Sequence, residues 1–364
     1  MKRTAKDFQK ATADHIASIF REGKQRRVLL ADEVGLGKTI VAREVIDHVR
    51  HIRNEVHDDM YRVVYVCSNQ SIVNQNIENL GISERMNVGE SRLSMQHLKL
   101  QEYMSNLKNY RADGQYEDGK MPELLIPLTP GTSFNQTMGQ GIVVERAMIY
   151  NVLKSMPEFS DYQEQLSDIL SFDVKSWGDK VRDIHDRMKA CGEDYYQTLH
   201  DSLRKSPSWK RVKNHLLELC QGTQNHSRYE IVGTLRMIFA QISLEELKPD
   251  LVIMDEFQRF SSLLDNKQNE DEQSMIIRKF FGDLDKNGPL ILLISATPYK
   301  PYTTLEELNE DACDTQYEDF IKLMDFLFRT NKDDKTKEVF VWPLGHMKTE
   351  LYGTDEYLWG LTMV

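Results

Sequence analysis

Lys38 and Thr39 close the stretch Ala31-Asp32-Glu33-Val34-Gly35-Leu36-Gly37-Lys38-Thr39, whose residue types suit a polyphosphate. Gly35 and Gly37 let the backbone curl until several N–H groups converge on one anion. Lys38 offers an ammonium to the outer phosphates, and the Thr39 hydroxyl is a ligand for Mg²⁺. Loops of this kind usually follow the pattern G-x-x-x-x-G-K-[ST], whereas Asp32 stands first here. Further on, Asp255-Glu256-Phe257-Gln258 sets two carboxylates side by side. Asp255 would hold the metal through water, and Glu256 would orient and deprotonate an attacking water, with Gln258 beside them. Taken alone, each stretch also reads as ordinary structure, a glycine turn before a helix or acids ending a strand. Together they describe ATP, Mg²⁺ and hydrolysis of the terminal phosphate.

The elements that must position these residues are legible as apolar runs. Val28-Leu29-Leu30 leads into the loop, and Ile40 to Ile46 continues from it with helical spacing. Leu251-Val252-Ile253-Met254 delivers Asp255. Three more runs read as strands: Val63 to Cys67, Leu124 to Leu128 and Leu290 to Ile294, with Pro127 marking the second of these as an edge strand or strand end. Short apolar strands alternating with helical patterns predict an α/β fold, a doubly wound parallel sheet flanked by helices. Ligands of such sheets collect at the carboxyl ends of the strands. There the chain carries Ser68-Asn69-Gln70, which could meet a nucleic-acid backbone or merely cap the next helix. Thr129-Pro130-Gly131-Thr132 reads equally as a phosphate-facing turn or an ordinary loop. Ser295 and Thr297 sit where their hydroxyls could bond Gln258 and relay the nucleotide state.

Residues 7–22 predict an amphipathic helix with Phe8, Ala11, His15 and Ile19 on one face. Within it, Gln9 could read the N6/N7 edge of adenine, or be a surface residue beside a core phenylalanine. Residues 151–245 repeat apolar positions at helical spacing without a convincing strand, which predicts an all-helical insertion. Its most basic window, Arg204-Lys205 and Lys210-Arg211 with Lys213 around Trp209, reads as a solvated face or a nucleic-acid contact. Residues 301–330 look helical and 338–344 suggest a strand.

The bulk properties narrow the classes. A net charge of −11 over 364 residues excludes a broadly basic coat, so contact with a polyanion must be local. The longest apolar runs are far too short to span a bilayer, and no apolar stretch follows the basic N-terminus as a signal peptide requires. Four scattered cysteines form no disulfide or zinc pattern, which makes a reducing cytoplasm the expected compartment.

In order, these motifs resemble the N-terminal RecA-like half of a superfamily-two helicase or translocase. Phe8-Gln9 looks like the Q-motif, Asp32 to Thr39 like motif I, and Ser68 to Asn76 like motif Ia. Thr129-Pro130-Gly131 looks like motif Ib, Asp255 to Gln258 like motif II, and Ser295 to Thr297 like motif III. The wording of motif I is similar to that of Swi/Snf-type ATPases, and the set as a whole to large bacterial helicases of mobile or antiviral defence loci. The resemblance implies a discontinuous ATP-binding domain over residues 1–150 and 246–330, split by the 151–245 insertion. It implies nucleic acid as partner, DNA ahead of RNA, and an arginine finger from a second RecA-like domain or a partner subunit. No paired-arginine motif follows Thr297, so residues 331–364 read as a trailing segment and the chain as a fragment, weakly active alone. Two other functions stay open: a nucleotide-dependent interaction module whose insertion binds a protein, and a metabolite kinase, for which the Ser-Ala-Thr strand end has no purpose.

Overall fold

The computed structural model describes residues 4–23, 25–31, 35–55, 60–67, 76–82, 92–112, 122–129, 140–257 and 288–295, with residues 280, 323, 326 and 327. Its centre is a five-stranded sheet: β1 (Arg27–Ala31), β2 (Tyr61–Cys67), β3 (Glu123–Leu128), β4 (Leu251–Asp255) and β5 (Leu290–Ser295). All pairings are parallel, and the order is β1-β5-β4-β2-β3. This is the expected α/β, RecA-like arrangement, and the five strands predicted between residues 28 and 294 are present. β3 lies at the end of this order, the edge position at which a proline such as Pro127 is tolerated.

Apart from polar residues towards their ends (Arg27, Arg62, Glu123, Asp255 and Ser295), the strands are apolar on both faces because both faces are covered. Val28, Leu30, Val63, Ile253, Leu292 and Ile294 face α1 (Asp7–Glu22) and α2 (Lys38–Glu55). The alternate residues Val64, Val66, Ile126, Met254 and Leu293 face the other way. They meet α3 (Gln96–Ala112) and residues 323, 326 and 327, whose helical fragments fall inside the 301–330 prediction. The rest of that stretch and the strand expected at 338–344 lie outside the described residues.

One correction concerns α1. The buried stripe is Gln9, Ala13, Ile16, Ala17 and Phe20, one position over from the expected face. Phe8 is 47% exposed. The reason is that Gln9 finds hydrogen-bond partners inside, so its burial costs little and the register that buries Ile16 and Phe20 together prevails.

Residues 140–250 contain helices and no strand: α4 (Val143–Lys154), α5 (Gln163–Ser171), α6 (Trp177–Ala190), α7 (Tyr195–Lys205), α8 (Trp209–Gln221) and α9 (Arg228–Leu247). They share a core that includes Ile149, Leu166, Ile184, Leu199, Leu216 and Phe239. α9 is buried almost all round, as a helix with neighbours on every side must be. Met237, Ala240, Leu244 and Leu247 pack on the sheet, whereas Ile231, Leu235, Ile238 and Ile242 pack among the other helices. At its middle, Arg236 donates to the buried Glu145 of α4 at 2.8 Å, and Ser94 donates to the other oxygen of that carboxylate. In the basic window Trp209 is buried, whereas Arg204, Lys205, Lys210 and Arg211 are exposed. Arg204 has acidic neighbours in Asp201 and Glu158. Among the described residues, no helix is long and apolar enough to cross a membrane.

α3 is tied to this helical group by a fully buried histidine. His97 Nδ1 lies 2.5 Å from the Tyr195 hydroxyl, its ring stacks on Phe239, and Nε2 has no partner among the described residues. Burial depresses its pKa to about 3, so the folded protein keeps this ring neutral. The unfolded chain takes up the proton near pH 6.5. Stability from this group is therefore complete above pH 6.5 and is lost as the pH falls towards 3, at about 1.4 kcal/mol per pH unit. Calorimetric unfolding of the wild type and of His97→Asn between pH 7 and 4 should show the gap in stability narrowing by that slope on acidification. A gap that stays constant with pH would contradict the assignment.

Candidate functional site

The register of the sheet gathers the strand ends along one rim. Ala31 pairs with Ser295, Ile294 with Asp255, Asp255 with Cys67, and Val66 with Leu128. The chain leaving those ends carries the residues that the sequence singles out. Adjacent strands stand about 4.8 Å apart, so β1 and β4 are roughly 10 Å apart with β5 between them. Lys38, at the start of α2, thus lies within electrostatic reach of the Asp255 carboxylate on β4.

On the β1 side, Gly35 (φ +90°) and Gly37 (φ +83°) occupy the left-handed region that glycine enters without strain. The Gly37 carbonyl accepts from the N–H groups of Ile40 (2.8 Å) and Val41 (3.2 Å), which starts α2. Lys38 and Thr39 form the first turn of α2 and are half-buried, so the ammonium, the hydroxyl and the helix N-terminus share one place. Gln9 holds the loop from α1. Its Nε2 donates to the Leu36 carbonyl at 2.7 Å, and its Oε1 accepts from the Lys6 N–H at 2.9 Å. The amide offered to adenine by the sequence here grips the loop backbone.

On the β4 side, strand alternation sends Asp255 to the same face as Ile253, the face that α2 covers. Its Oδ2 accepts from the Tyr65 hydroxyl at 2.5 Å and from Asn76 Nδ2 at 3.2 Å, and Asn76 also donates to the Tyr65 oxygen at 3.0 Å. Burial raises the Asp255 pKa from its ordinary value. The Tyr65 bond, the Glu256 N–H and the charge of Lys38 oppose this shift, whereas the charge of Glu256 adds to it. The same burial and the neighbouring Asp255 push the Tyr65 phenol far up, so it stays a donor. Glu256 has φ +54°, a conformation that strains a residue with a Cβ and turns the chain sharply off β4.

These residues fit a Mg²⁺-nucleotide. An ammonium, a hydroxyl, glycine N–H groups and a carboxylate within electrostatic reach of Lys38 form the donor set that two anionic phosphates and a hard cation need. Ser295 is buried on the opposite face from Asp255, in step with Leu293. Thr129 is buried at the end of β3. Asp32, Ser68, Asn69, Gln70, Gly131, Thr132, Gln258 and Thr297 lie outside the described residues. Tyr65 lies outside every motif read from the sequence, and Asn76 ends the stretch read as motif Ia but has no role of its own in that reading; the structure brings both to Asp255. The signal for Tyr65 was a lone phenol within the run Val63-Val64-Tyr65-Val66-Cys67.

Among known families, the model described as Type III restriction enzyme, res subunit, matches residues 2–126. The match runs from α1 into β3, takes in Gly35 to Thr39, and indicates a helicase-like ATPase motor domain over those residues. No curated protein and no solved structure matches the chain.

The grip of Gln9 on the loop has a measurable consequence. A Cβ on Gly37 would lie 2.5 Å from Gln9 Nε2, at a φ that itself costs an L-residue about 1–2 kcal/mol. Gly37→Ala should therefore weaken nucleotide binding about tenfold or more by isothermal titration. In a Gln9→Ala background the same substitution should cost less, because only the backbone strain remains. Equal losses in both backgrounds would mean that Gln9 does not hold the loop.

Proposed function

We propose that this chain is the ATP-binding motor part of a nucleic-acid-dependent ATPase of the helicase or translocase type, acting on DNA in preference to RNA. The observation that carries the reading is the shared rim. Lys38 and Asp255 arrive from strands separated only by β5, on one face of the sheet and within electrostatic reach. The name of the matched family, a restriction-enzyme subunit, favours DNA. On this reading residues 1–150 and 246–330 make up the ATP-binding domain and 151–245 an inserted helical unit.

In this mechanism the loop N–H groups and Lys38 bind the phosphates, and Thr39 with Asp255 would hold Mg²⁺. The metal, when bound, neutralises charge that develops on the phosphate oxygens. Glu256 orients the attacking water and accepts its proton. Gln9 keeps the loop closed from behind, and Ser295 with Thr297 and Gln258 transmit the state of the site. Ser68, Asn69, Gln70, Gly131 and Thr132 contact the polymer, whereas Thr129, expected from the sequence to join them, is buried at the end of β3. Among the described residues, the charged neighbours acting on Asp255 are Glu256 and Lys38. The further cation that stabilises the transition state would come from a second RecA-like domain or a partner subunit, and its lack typically costs 10³–10⁵ in rate.

The chain should bind Mg²⁺·ATP and hydrolyse it slowly, and Lys38→Ala should remove the binding. Gel-shift titrations with a non-hydrolysable ATP analogue should show DNA binding that weakens steeply with salt, because phosphate contacts release counterions. Brisk turnover indifferent to DNA would contradict the motor reading. Nucleotide binding without any DNA affinity at low salt would favour the interaction module instead, consistent with the net charge of −11.

A further inference from the structure

Tyr65 and Asn76 form a polar group inside an otherwise apolar face. Their neighbours in β2 and β4 on that face are Val63, Cys67, Leu251 and Ile253, all buried. Tyr65 is 1% exposed. A phenylalanine would pack in this setting as well, so the hydroxyl calls for an explanation of its own. Its bonds in the structure are to Asp255 and Asn76, residues 190 and 11 positions away.

The directions of these bonds follow from the donor inventory. The Asn76 amide nitrogen can only donate, so the Tyr65 oxygen accepts from it, and the single phenol proton is directed at Asp255 Oδ2. The same nitrogen also reaches Oδ2, at 3.2 Å. Two side-chain donors from different parts of the chain therefore fix one carboxylate oxygen. The other oxygen lies outside these two bonds. Such anchoring matters here because Asp255 ends its strand, and the left-handed turn at Glu256 carries the chain away immediately.

We propose that Tyr65 and Asn76 are positioning residues for the metal site, holding Asp255 by Oδ2 so that its carboxylate is set in advance for a divalent cation beside Lys38 and Thr39. This rests on the nucleotide reading above and goes beyond it, naming two residues that touch neither nucleotide nor metal. Neutral donors suit the task. They fix the rotamer and leave the negative charge available, whereas a lysine or arginine in their place would cancel it. Both residues precede α3, so one stretch of chain supplies the β2 rim and the support for the β4 carboxylate.

The test separates metal affinity from nucleotide affinity. A fluorescent ATP analogue is titrated with the full chain in EDTA and then across a Mg²⁺ series, and Mn²⁺ binding is followed by electron paramagnetic resonance. Tyr65→Phe should bind the analogue in EDTA as the wild type does, while its Mg²⁺ and Mn²⁺ midpoints rise about 10–100-fold. Asn76→Ala should move the midpoints in the same direction by less, and being half-buried it serves if Tyr65→Phe does not fold. Wild-type metal midpoints in both variants would overturn the proposal even if both lose thermal stability, since the bonds would then be structural alone. Failure of the wild type to bind the analogue at all, with or without metal, would instead remove the nucleotide reading, and this inference with it.

Discussion

The in-register parallel pairing of β1, β5 and β4 is the constraint on which the candidate site depends. Side chains alternate along a strand, so a slip of one residue would move Asp255 from the α2 face to the α9 face. Here both faces are buried against helices, and the register is fixed twice. Ile253 and Ile294 must meet α1 and α2, while Met254 and Leu293 must meet the other layer. The strong apolar packing of residues with no chemistry thus decides which face receives the carboxylate. Because α2 begins at Lys38 on that same face, the cation and the acid are brought together by burial far more than by their own attraction, which at partial exposure is modest.

A second consequence of burial is electrostatic. Asp255 stands at the rim of an apolar layer, which by itself would favour its protonated form. Its surroundings answer with hydrogen-bond donors and one nearby cation. The helical part solves the same problem by a different means. Glu145 is fully buried and is met by the guanidinium of Arg236, by Ser94 and, at 3.4 Å, by the N–H of Ile142. Gly141 (φ +69°) leaves room for this group, since a Cβ there would lie 2.3 Å from the Glu145 carboxylate. Removing one partner of such a pair leaves an uncompensated buried charge, so the network binds α4 and α9 to one arrangement. α9 carries that arrangement to the sheet through Met237 and Leu244.

The sequence was informative wherever an apolar run had to lie between two helical layers. Its five strands, the edge position of β3 and the helical character of 151–245 follow from composition and periodicity, because hydrophobic burial acts on every residue of those elements. It was less informative where polar partners decide the outcome. The face of α1 was misjudged because Phe8 outranks Gln9 on any hydrophobic scale, yet Gln9 is satisfied internally by Leu36 and Lys6 and Phe8 is not needed. The pairing of Tyr65 and Asn76 with Asp255 escaped for a related reason. It is a contact across 179 to 190 residues, and nothing local to either position encodes the distant partner. Ser295 shows the converse limit, since adjacency in a motif did not reveal that it faces away from Asp255.

The loop after β1 and the turn after β4 share one more physical property: each is held in a conformation that an isolated chain would rarely choose. Gly35 and Gly37 are left-handed, which glycine permits but does not impose, and Glu256 is left-handed against the preference of its own Cβ. In both places hydrogen bonds that the strain does not itself require stabilise the geometry. Gln9 holds the Leu36 carbonyl on one side, and Tyr65 with Asn76 holds Asp255 on the other. The supports come from α1, from β2 and from the segment after β2, elements whose apolar packing fixes them before any ligand arrives. Ordering of the loop and of the carboxylate is then part of folding rather than of binding. More of the interaction energy with a charged ligand remains as affinity, which is the physical meaning of a preorganised site.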